Sequence, residues 1–388
     1  MLCEMDLATL RAWWAHRQGL DGAYEGKSAA DVLVNTGWAR SVGGAAPYIT
    51  LFARAGLSRE AVDQAVADLA ICELPSARGC TYVIPAADFA LALKVGEGFS
   101  TKQELKQACS LGSSIKEIDR LCDKVLDALA KGPLEPKELR EHLGSAVREF
   151  GPEGVKKGMA TTLPVALGKL QEEGRIRRIA TNGRLDQQRY RYVRWDPNPL
   201  AGFPLSAEEA QTELARRYFT WIGPATLAEF QWFSALGVKA AKAAIAPLGL
   251  VPLAEGDARL IFPADLDRLR AFKPAKKPVY ALSASIDGIV LLRRTLAELM
   301  DGEHPLLSGK ADLPSHPIFD RGRLIGLWEF DVDTESIAWT AFVPQDAALK
   351  KSVSRMQDYV RTQLGDARSF SLDSPKSRAP RIAALRGS

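Results

Sequence analysis

The feature that most constrains the fold is a short stretch crowded with arginines, GRIRRIATNGRLDQQRYRYVRW, over residues 174–195. Its arginines are Arg175, Arg177, Arg178, Arg184, Arg189, Arg191 and Arg194. Asn182-Gly183 is a strong hairpin signal because both residues tolerate a positive φ, so we predict two strands around that turn. A basic hairpin directly after a helix is typical of the wing of a winged helix, and a duplex phosphate backbone attracts such a charge pattern. The alternative is an edge hairpin whose arginines only keep the sheet soluble.

The residues before this hairpin predict three helices. In SIKEIDRLCDKVLDALAKG the apolar residues recur at helical spacing, Gly132-Pro133 ends the helix, and Glu135-Pro136 begins a second one. The third, ATTLPVALGKLQEEG, carries Pro164 in its first turn, where the missing N–H costs nothing, and ends at Gly174. This order of helices and wing is that of a winged helix-turn-helix. A small α+β domain that binds other proteins is the alternative.

Two further units of related shape are predicted on either side. Ser206 to Leu248 gives helices broken at Gly223-Pro224 and Gly237, followed by the strand-like runs GLVPLAEG and ARLIFP. The first hundred residues give helices capped by Ser28 and Ser58 and the strand CTYVIP. Sequence identity between the three units is too low to identify a repeat.

The remaining residues, after the basic linker KPAKKP, change in character. RLIGLWEFDVDTESIAWTAFV alternates on both sides of a polar turn and predicts a β-hairpin. An amphipathic helix, PQDAALKKSVSRMQDYVRTQLG, and a basic tail that is either flexible or docked follow it. We therefore predict an α+β protein with winged helix 1 at 1–110, winged helix 2 with the basic wing at 111–200, winged helix 3 at 201–272, and a β-rich, barrel-like domain with a terminal helix at 273–388.

Composition excludes several classes of function. The chain has 388 residues, a net charge of +4 and 25% charged residues, so only the local clustering of charge argues for nucleic acid. Its 5 cysteines without a CxxC motif and 4 scattered histidines predict reduced thiols and no metal site. Without a GxGxxG or Walker loop, no nucleotide cofactor is expected. Without a leader-like or transmembrane-length segment, we expect a cytoplasmic, nucleoid-associated protein.

Short motifs follow one another in a definite order along most of the chain. They are Pro47-Tyr48, Leu51-Phe52-Ala53-Arg54, Arg78-Gly79 with Thr81, Ala86-Ala87-Asp88, YFTWIGPATLAEFQWFSALG, Ile286-Asp287 and GRLIGLWEF. In this order they resemble the winged-helix DNA glycosylases of the AlkZ-like family, whose members unhook interstrand crosslinks or remove alkylated purines. The resemblance implies tandem winged helices around a concave channel for double-stranded DNA, and a β-barrel-like domain after them.

The chain departs from this family at the catalytic motif, which is a Gln, an apolar residue and a second Gln or Asp. Alignment back from Pro47-Tyr48 with one inserted residue places Ala39, Arg40 and Ser41 there. Ala39 cannot hold the attacking water, and the single hydroxyl of Ser41 is a poor base. Arg40 would repel an oxocarbenium-like sugar, although it could bind a phosphate. The histidine that usually follows the family's Arg-Gly-Thr motif is also absent.

Candidate site residues follow from these motifs and from the hairpin. The catalytic candidates are Ser41, Asp287 and Glu73, although Glu73 also fits a local backbone cap and Asp287 a turn residue. The DNA-binding candidates are Arg40, Trp38, Arg78, Arg175, Arg177, Arg178, Arg184 and Arg189. Trp38 or Tyr48, in the glycine-rich segment WARSVGGAAPY, could stack at a disrupted base step, or could pack in the core. We favour the core for Tyr48.

The sequence is compatible with three functions. The first is a DNA binder of this scaffold, a damage sensor or regulator, with weak or absent glycosylase activity. The second is an active DNA glycosylase that excises alkylated or crosslinked purines by a divergent site. The third is a protein-interaction or small-ligand module that kept the fold and lost DNA.

Overall fold

The computed structural model, which describes residues 5–99, 101–187, 189–310, 312–369 and 372–387, is an α+β protein, as predicted. The first part of the chain contains α1 (Leu7–Arg17), α2 (Ala29–Thr36), β1 (Ala39–Arg40), α3 (Ala46–Ala55), α4 (Arg59–Ala67), β2 (Ile71–Pro75), β3 (Thr81–Pro85) and α5 (Phe89–Gly96). Its sheet has the order β1-β3-β2. Ser28 and Ser58 cap α2 and α4, as predicted, with hydroxyls that accept hydrogen bonds from backbone N–H groups of the first turn.

The second part contains the predicted helices and basic hairpin. Its elements are α6 (Thr101–Ser110), α7 (Ile115–Leu129), α8 (Pro136–Leu143), α9 (Gly151–Lys156), α10 (Leu163–Glu172), β4 (Ile176–Ala180) and β5 (Tyr190–Arg194). Helix α7 buries Ile118, Leu121 and Val125 on one side, which is the periodicity seen in the sequence. A bridge between Leu134 and Tyr192 adds a third, minimal strand beside β5.

The third part repeats this arrangement in shorter form. Its elements are α11 (Ala207–Ile222), β6 (Ala225–Thr226), α12 (Leu227–Ser234), α13 (Val238–Ile245), β7 (Val251–Pro252), β8 (Arg259–Ile261) and α14 (Pro263–Ala271). The strand order is β6-β8-β7. In all three parts a short first strand or bridge precedes helices and a hairpin, and it pairs with the last strand of that hairpin.

The tip of the β4–β5 hairpin differs from the prediction. The two strands form, but pairing ends at Ala180 and Tyr190, so the connection is longer than an Asn-Gly turn. Leu185 is 4% exposed, and its backbone N–H donates to the Tyr48 hydroxyl at 2.9 Å. Arg184 donates to the carbonyl of Leu364 at 3.0 Å. The tip is therefore docked on the first part and on the C-terminal region, because its apolar side chain fits their shared core.

The C-terminal region is β-rich but forms an open sheet. Its elements are β9 (Tyr280–Leu282), α15 (Gly288–Leu291), α16 (Leu296–Leu299), β10 (His316–Asp320), β11 (Arg323–Asp331), β12 (Ser336–Ala341), α17 (Ala347–Tyr359) and α18 (Pro375–Arg386). The strand order β12-β11-β10-β9 leaves two edges, so the part of the chain that the structure describes contains no closed barrel, contrary to the barrel-like prediction. The predicted β11–β12 hairpin and helix α17 are confirmed.

The basic tail docks as helix α18. Arg378 donates to the Asp366 carboxylate at 2.8 and 3.0 Å, and Arg381 donates to Glu329 at 2.9 Å. The Arg381–Glu329 pair joins the helix to β11, the Arg378 pair joins it to the segment after α17, and the helix packs against β11 and β12. Of the two tail conformations that the sequence left open, the structure has the docked one.

Hydrophobic cores cross the boundaries drawn from the sequence. One core joins Leu10 of α1 and Tyr218 of α11 with Phe319 of β10. Another joins Val83 of β3 with Trp328 of β11. The second part keeps a core of its own between its helices and β4. The first and third parts and the C-terminal sheet therefore pack together, and the docked hairpin tip ties the second part to them.

Candidate nucleic-acid interface and carboxylate cluster

The two faces of the first sheet carry different candidate residues. Val83 of β3 pairs with Ala39 on one side and with Glu73 on the other, while Tyr82 pairs with Arg40. Because successive side chains of a strand alternate between faces and directly paired residues share a face, Arg40 and Glu73 lie on opposite faces of this sheet. The predicted phosphate contact at Arg40 and the catalytic candidate Glu73 are therefore separated by the sheet.

Glu73 is the centre of a polar cluster between the first sheet and the β4–β5 hairpin. The Ser41 hydroxyl donates to Glu73 Oε1, and Arg178 Nη2 lies 3.4 Å from Glu73 Oε2. The Arg178 guanidinium also lies over the Tyr190 ring, 4.6 Å from its centroid. Glu73 is only 8% exposed. The structure thus brings together Ser41, Glu73 and Arg178 from the predicted set and adds Tyr190, which the sequence did not indicate.

The side chains around Glu73 differ in their protonation. Burial and then the negative charge of Glu73 raise the pKa of the Tyr190 phenol. Burial lowers the pKa of the Arg178 guanidinium, but the attraction of Glu73 together with Tyr190, Tyr192 and Cys72 outweighs burial, so that this pKa lies above its usual value. Burial also raises the pKa of the neighbouring Cys72 thiol to about 12. At neutral pH the cluster therefore holds a neutral phenol and a charged guanidinium.

The contacts of Glu73 limit its use as a base. A carboxylate beside a fixed hydroxyl has the atoms needed to orient a water. The Arg178 guanidinium is paired with the same carboxylate, however. Its positive charge would repel the positive charge that develops on an oxocarbenium-like sugar.

Asp287, the other carboxylate candidate, forms a buried ion pair with Arg54. Arg54 donates to both of its oxygens at 2.7 Å, and the Thr50 hydroxyl donates to Oδ2 at 3.1 Å. Asp287 Oδ1 also accepts the backbone N–H of Ile289 at 3.1 Å, which caps α15. Neither charged side chain of the pair is more than 1% exposed. All of these contacts are typical of a structural role.

The guanidinium groups of Arg40 and Arg78 each pack against an aromatic ring. The Arg40 guanidinium lies 5.3 Å from the centroid of Tyr82 and donates to the Thr81 carbonyl at 3.1 Å. The Arg78 guanidinium lies 4.2 Å from the centroid of Trp232. Among the described residues, neither arginine has a carboxylate within 4.0 Å. Both guanidinium groups are therefore oriented without being neutralised.

The hairpin arginines fall into two groups. Arg178 pairs with Glu73, Arg184 pairs with Asp186 and Arg191 lies 4.0 Å from Glu135. Over the described ranges, the others have no carboxylate within 4.0 Å: Arg175, Arg177, Arg189 and Arg194. Outside the hairpin and the first sheet, only Arg120 and Arg368 share this property within the described chain. Arginines that lack an internal counter-charge are therefore concentrated here.

Trp38 and Tyr48 both lie in the core. Trp38 is 5% exposed, donates to Asp88 Oδ2 at 3.0 Å, and packs edge to face on Trp221. Tyr48 has no exposed surface, as the sequence favoured. The glycine-rich segment thus presents neither ring at the surface. Trp232 on α12 is instead the half-buried indole that meets the candidate Arg78, and in the sequence it resembles any aromatic residue of a buried helix.

Two further findings concern metal and membrane binding in the same described ranges. No group of three or more His, Cys, Asp and Glu side chains is placed to hold a metal ion there. No described helix is long and apolar enough to cross a membrane.

Comparison with known proteins fixes the class to which this fold and cluster belong. The family model for AlkZ-like DNA glycosylases matches residues 36–359, so the chain belongs to the AlkZ-like DNA glycosylase family, and the resemblance found in the sequence is confirmed. Among solved structures, the chain is similar to the DNA glycosylase AlkZ of Streptomyces sahachiroi, with a TM-score of 0.70 and 19% identity over 95% of this chain and 99% of that one. Identity at this level shows a shared fold. No curated protein matches the sequence.

Proposed function

We propose that this chain is a duplex DNA-binding protein, built from three tandem winged helix-turn-helix units, with weak or absent glycosylase activity. The recurring strand connectivity of the three parts supports the winged-helix assignment, since each has helices followed by a hairpin that pairs with a short first strand. Family membership supports DNA as the partner. A DNA partner also fits a nucleoid-associated protein.

One observation carries the proposal: the arginines without an internal carboxylate are concentrated in the first sheet and the β4–β5 hairpin. Elsewhere in the described chain most arginines are paired, as Arg54 with Asp287 and Arg378 with Asp366 are. A guanidinium without a counter-charge can take a phosphate without first breaking an ion pair, and it can bind phosphate oxygens through two donors. The candidate contacts are Arg40, Arg78, Arg175, Arg177 and Arg189. We leave Trp38 out because it is enclosed, and Arg184 because Asp186 neutralises it.

The test is the salt dependence of binding to a short labelled duplex, measured by fluorescence anisotropy. The triple variant Arg175→Ala, Arg177→Ala and Arg189→Ala should bind more weakly. Its slope of log affinity against log salt should fall by about 0.9 for each phosphate that the variant no longer binds. Arg191→Ala is the matched control, since it removes an arginine of the same hairpin that already faces a carboxylate. An unchanged slope in the triple variant would remove the hairpin from the interface.

Weak activity is proposed because the family's catalytic motif is replaced. Ala39 has no polar atom, and the Ser41 hydroxyl is engaged with Glu73. Loss of a group that positions the attacking water costs on the order of two to four powers of ten in rate. Single-turnover excision of 7-methylguanine from duplex DNA at neutral pH should therefore stay near the spontaneous depurination background.

An active glycosylase with a divergent site is the second candidate, and the Ser41–Glu73 contact is the observation that favours it. In this alternative Glu73 orients water through one oxygen while Ser41 and Tyr190 fix its position. Excision well above background that is abolished by Glu73→Gln, with duplex affinity retained, would establish this function. Asp287 is not part of this proposal, because both of its oxygens face Arg54.

A further inference from the structure

Trp232 of α12 meets two arginines from distant parts of the chain. The guanidinium carbons of Arg78 and Arg294 each lie 4.2 Å from its ring centroid. Arg78 lies in the turn between β2 and β3, and Arg294 follows α15. The indole is half-buried, so this contact lies at the surface where the first and third parts and the C-terminal region join.

Both arginines adopt an uncommon backbone conformation. The φ angle is 60° at Arg78 and 56° at Arg294, within the left-handed region that residues other than glycine seldom enter. Residues held in such conformations cluster at functional sites. Here both residues in this conformation place their guanidinium groups on the same indole ring.

The two arginines differ in what else they contact. Arg294 pairs with Asp312, whereas exposed Arg78 has no carboxylate within 4.0 Å among the described residues. The Arg40 guanidinium lies 5.3 Å from the ring centroid of Tyr82, which follows this turn in β3, so a second guanidinium without a carboxylate lies on the strand next to the turn. Arg78 is thus a charged, planar group backed by an indole and open to solvent.

A flat ligand is the natural partner for such a group. Nucleobases stack on arginine planes and on aromatic rings, and they do so with little regard to sequence. The bases of an intact duplex cover one another, so only an unpaired base offers a free face.

We propose that Arg78, supported by Trp232, forms a stacking site for one unpaired nucleobase in DNA. The proposal rests on the duplex-binding function above and deepens it, because it names the DNA structure that the chain prefers. In this proposal Arg40 binds a backbone phosphate next to the stacked base.

The experiment compares an intact duplex with the same duplex carrying a single-nucleotide bulge of 2-aminopurine, at one salt concentration. The bulged duplex should bind about tenfold more tightly, which is the order expected for one stacked base, and the 2-aminopurine fluorescence should be quenched. In Arg78→Lys, which keeps the charge and removes the plane, the ratio of the two affinities should fall close to one and the quenching should disappear. Trp232→Ala should do the same.

Arg175→Lys is the matched control, because it makes the same substitution in the hairpin and should leave the ratio and the quenching as they are. Equal affinity of the unaltered protein for both duplexes, or a ratio that survives in Arg78→Lys, would overturn the stacking site and leave the DNA-binding proposal standing. If neither duplex binds, or if the salt titration of the intact duplex described above shows no dependence on salt, the proposed function fails and the stacking site fails with it.

Discussion

Asp287 meets Arg54 through two contacts of 2.7 Å, and neither side chain is more than 1% exposed. Glu73 meets Arg178 through one contact of 3.4 Å, and the Arg178 side chain is 21% exposed. Both carboxylates stand beside family-like motifs, so the sequence alone ranked them together. The comparison teaches that the completeness of pairing, rather than closeness to a motif, separates a carboxylate whose charge is fully matched inside the fold from one whose charge is matched only in part.

The largest effect should come from Asp287→Asn. This change leaves Arg54 buried with its charge uncompensated, and breaking such a pair from one side costs about 3–5 kcal/mol. Equilibrium urea unfolding measures the free energy of unfolding of the variant and of the unaltered protein. A loss below about 1 kcal/mol would mean that water reaches Arg54, and the contrast between the two carboxylates would disappear.

A smaller loss of stability, about 1 kcal/mol, is expected for Glu73→Gln. The amide oxygen can still accept the hydrogen bond from Ser41, and the partly exposed Arg178 can reach water. The same urea titration applies, with Asp287→Asn beside it. Equal losses in the two variants would show that the Glu73 cluster is also structural.

The third prediction concerns DNA rather than stability. Glu73→Gln removes a negative charge from beside the basic hairpin and releases Arg178, so duplex affinity should rise by about threefold, the scale of one partly exposed ion pair. Glu135→Gln is the control, since it removes a carboxylate 4.0 Å from Arg191 of the same hairpin without freeing Arg178. An equal rise in both variants would assign the effect to net charge alone.

The smallest effect is expected for Ser41→Ala, which should destabilise the fold by about 0.5–1 kcal/mol, the usual net contribution of one hydrogen bond. Glu73 keeps Arg178 and Tyr190 as partners in this variant, so no charge is stranded. Urea unfolding of this variant beside the other two measures the difference. A loss as large as that of Asp287→Asn would show that Ser41 organises the cluster.

Local signals predicted much of the fold, because caps and periodicity act within a few residues. Ser28, Ser58 and the alternation around the β11–β12 turn each gave the right element. The length of the β4–β5 connection was not predictable, because docking of Leu185 against Tyr48 overrides the preference of Asn-Gly for a tight turn.

The candidate site was predictable only in part for a related reason. Ser41, Glu73 and Arg178 each carry a local signal, but their meeting depends on how the second part docks on the first. The partner of Asp287 stands 233 positions away in sequence, so no local pattern could show that its charge was already matched. Trp232 gave no signal, since its role depends on arginines from two other segments.

The docked hairpin tip has a practical consequence for engineering this chain. Hairpin loops are usually the places where a fold accepts an inserted tag or a new chain end. Here Leu185 is 4% exposed, and Arg368 donates to the Asp186 carbonyl at 3.1 Å. The loop therefore has to keep its length if the Leu185 side chain is to reach the core. A reporter inserted beside Leu185 would displace the hairpin tip from the first part and from the C-terminal region. The exposed turn at Asp333–Glu335, between β11 and β12, is the better position for one.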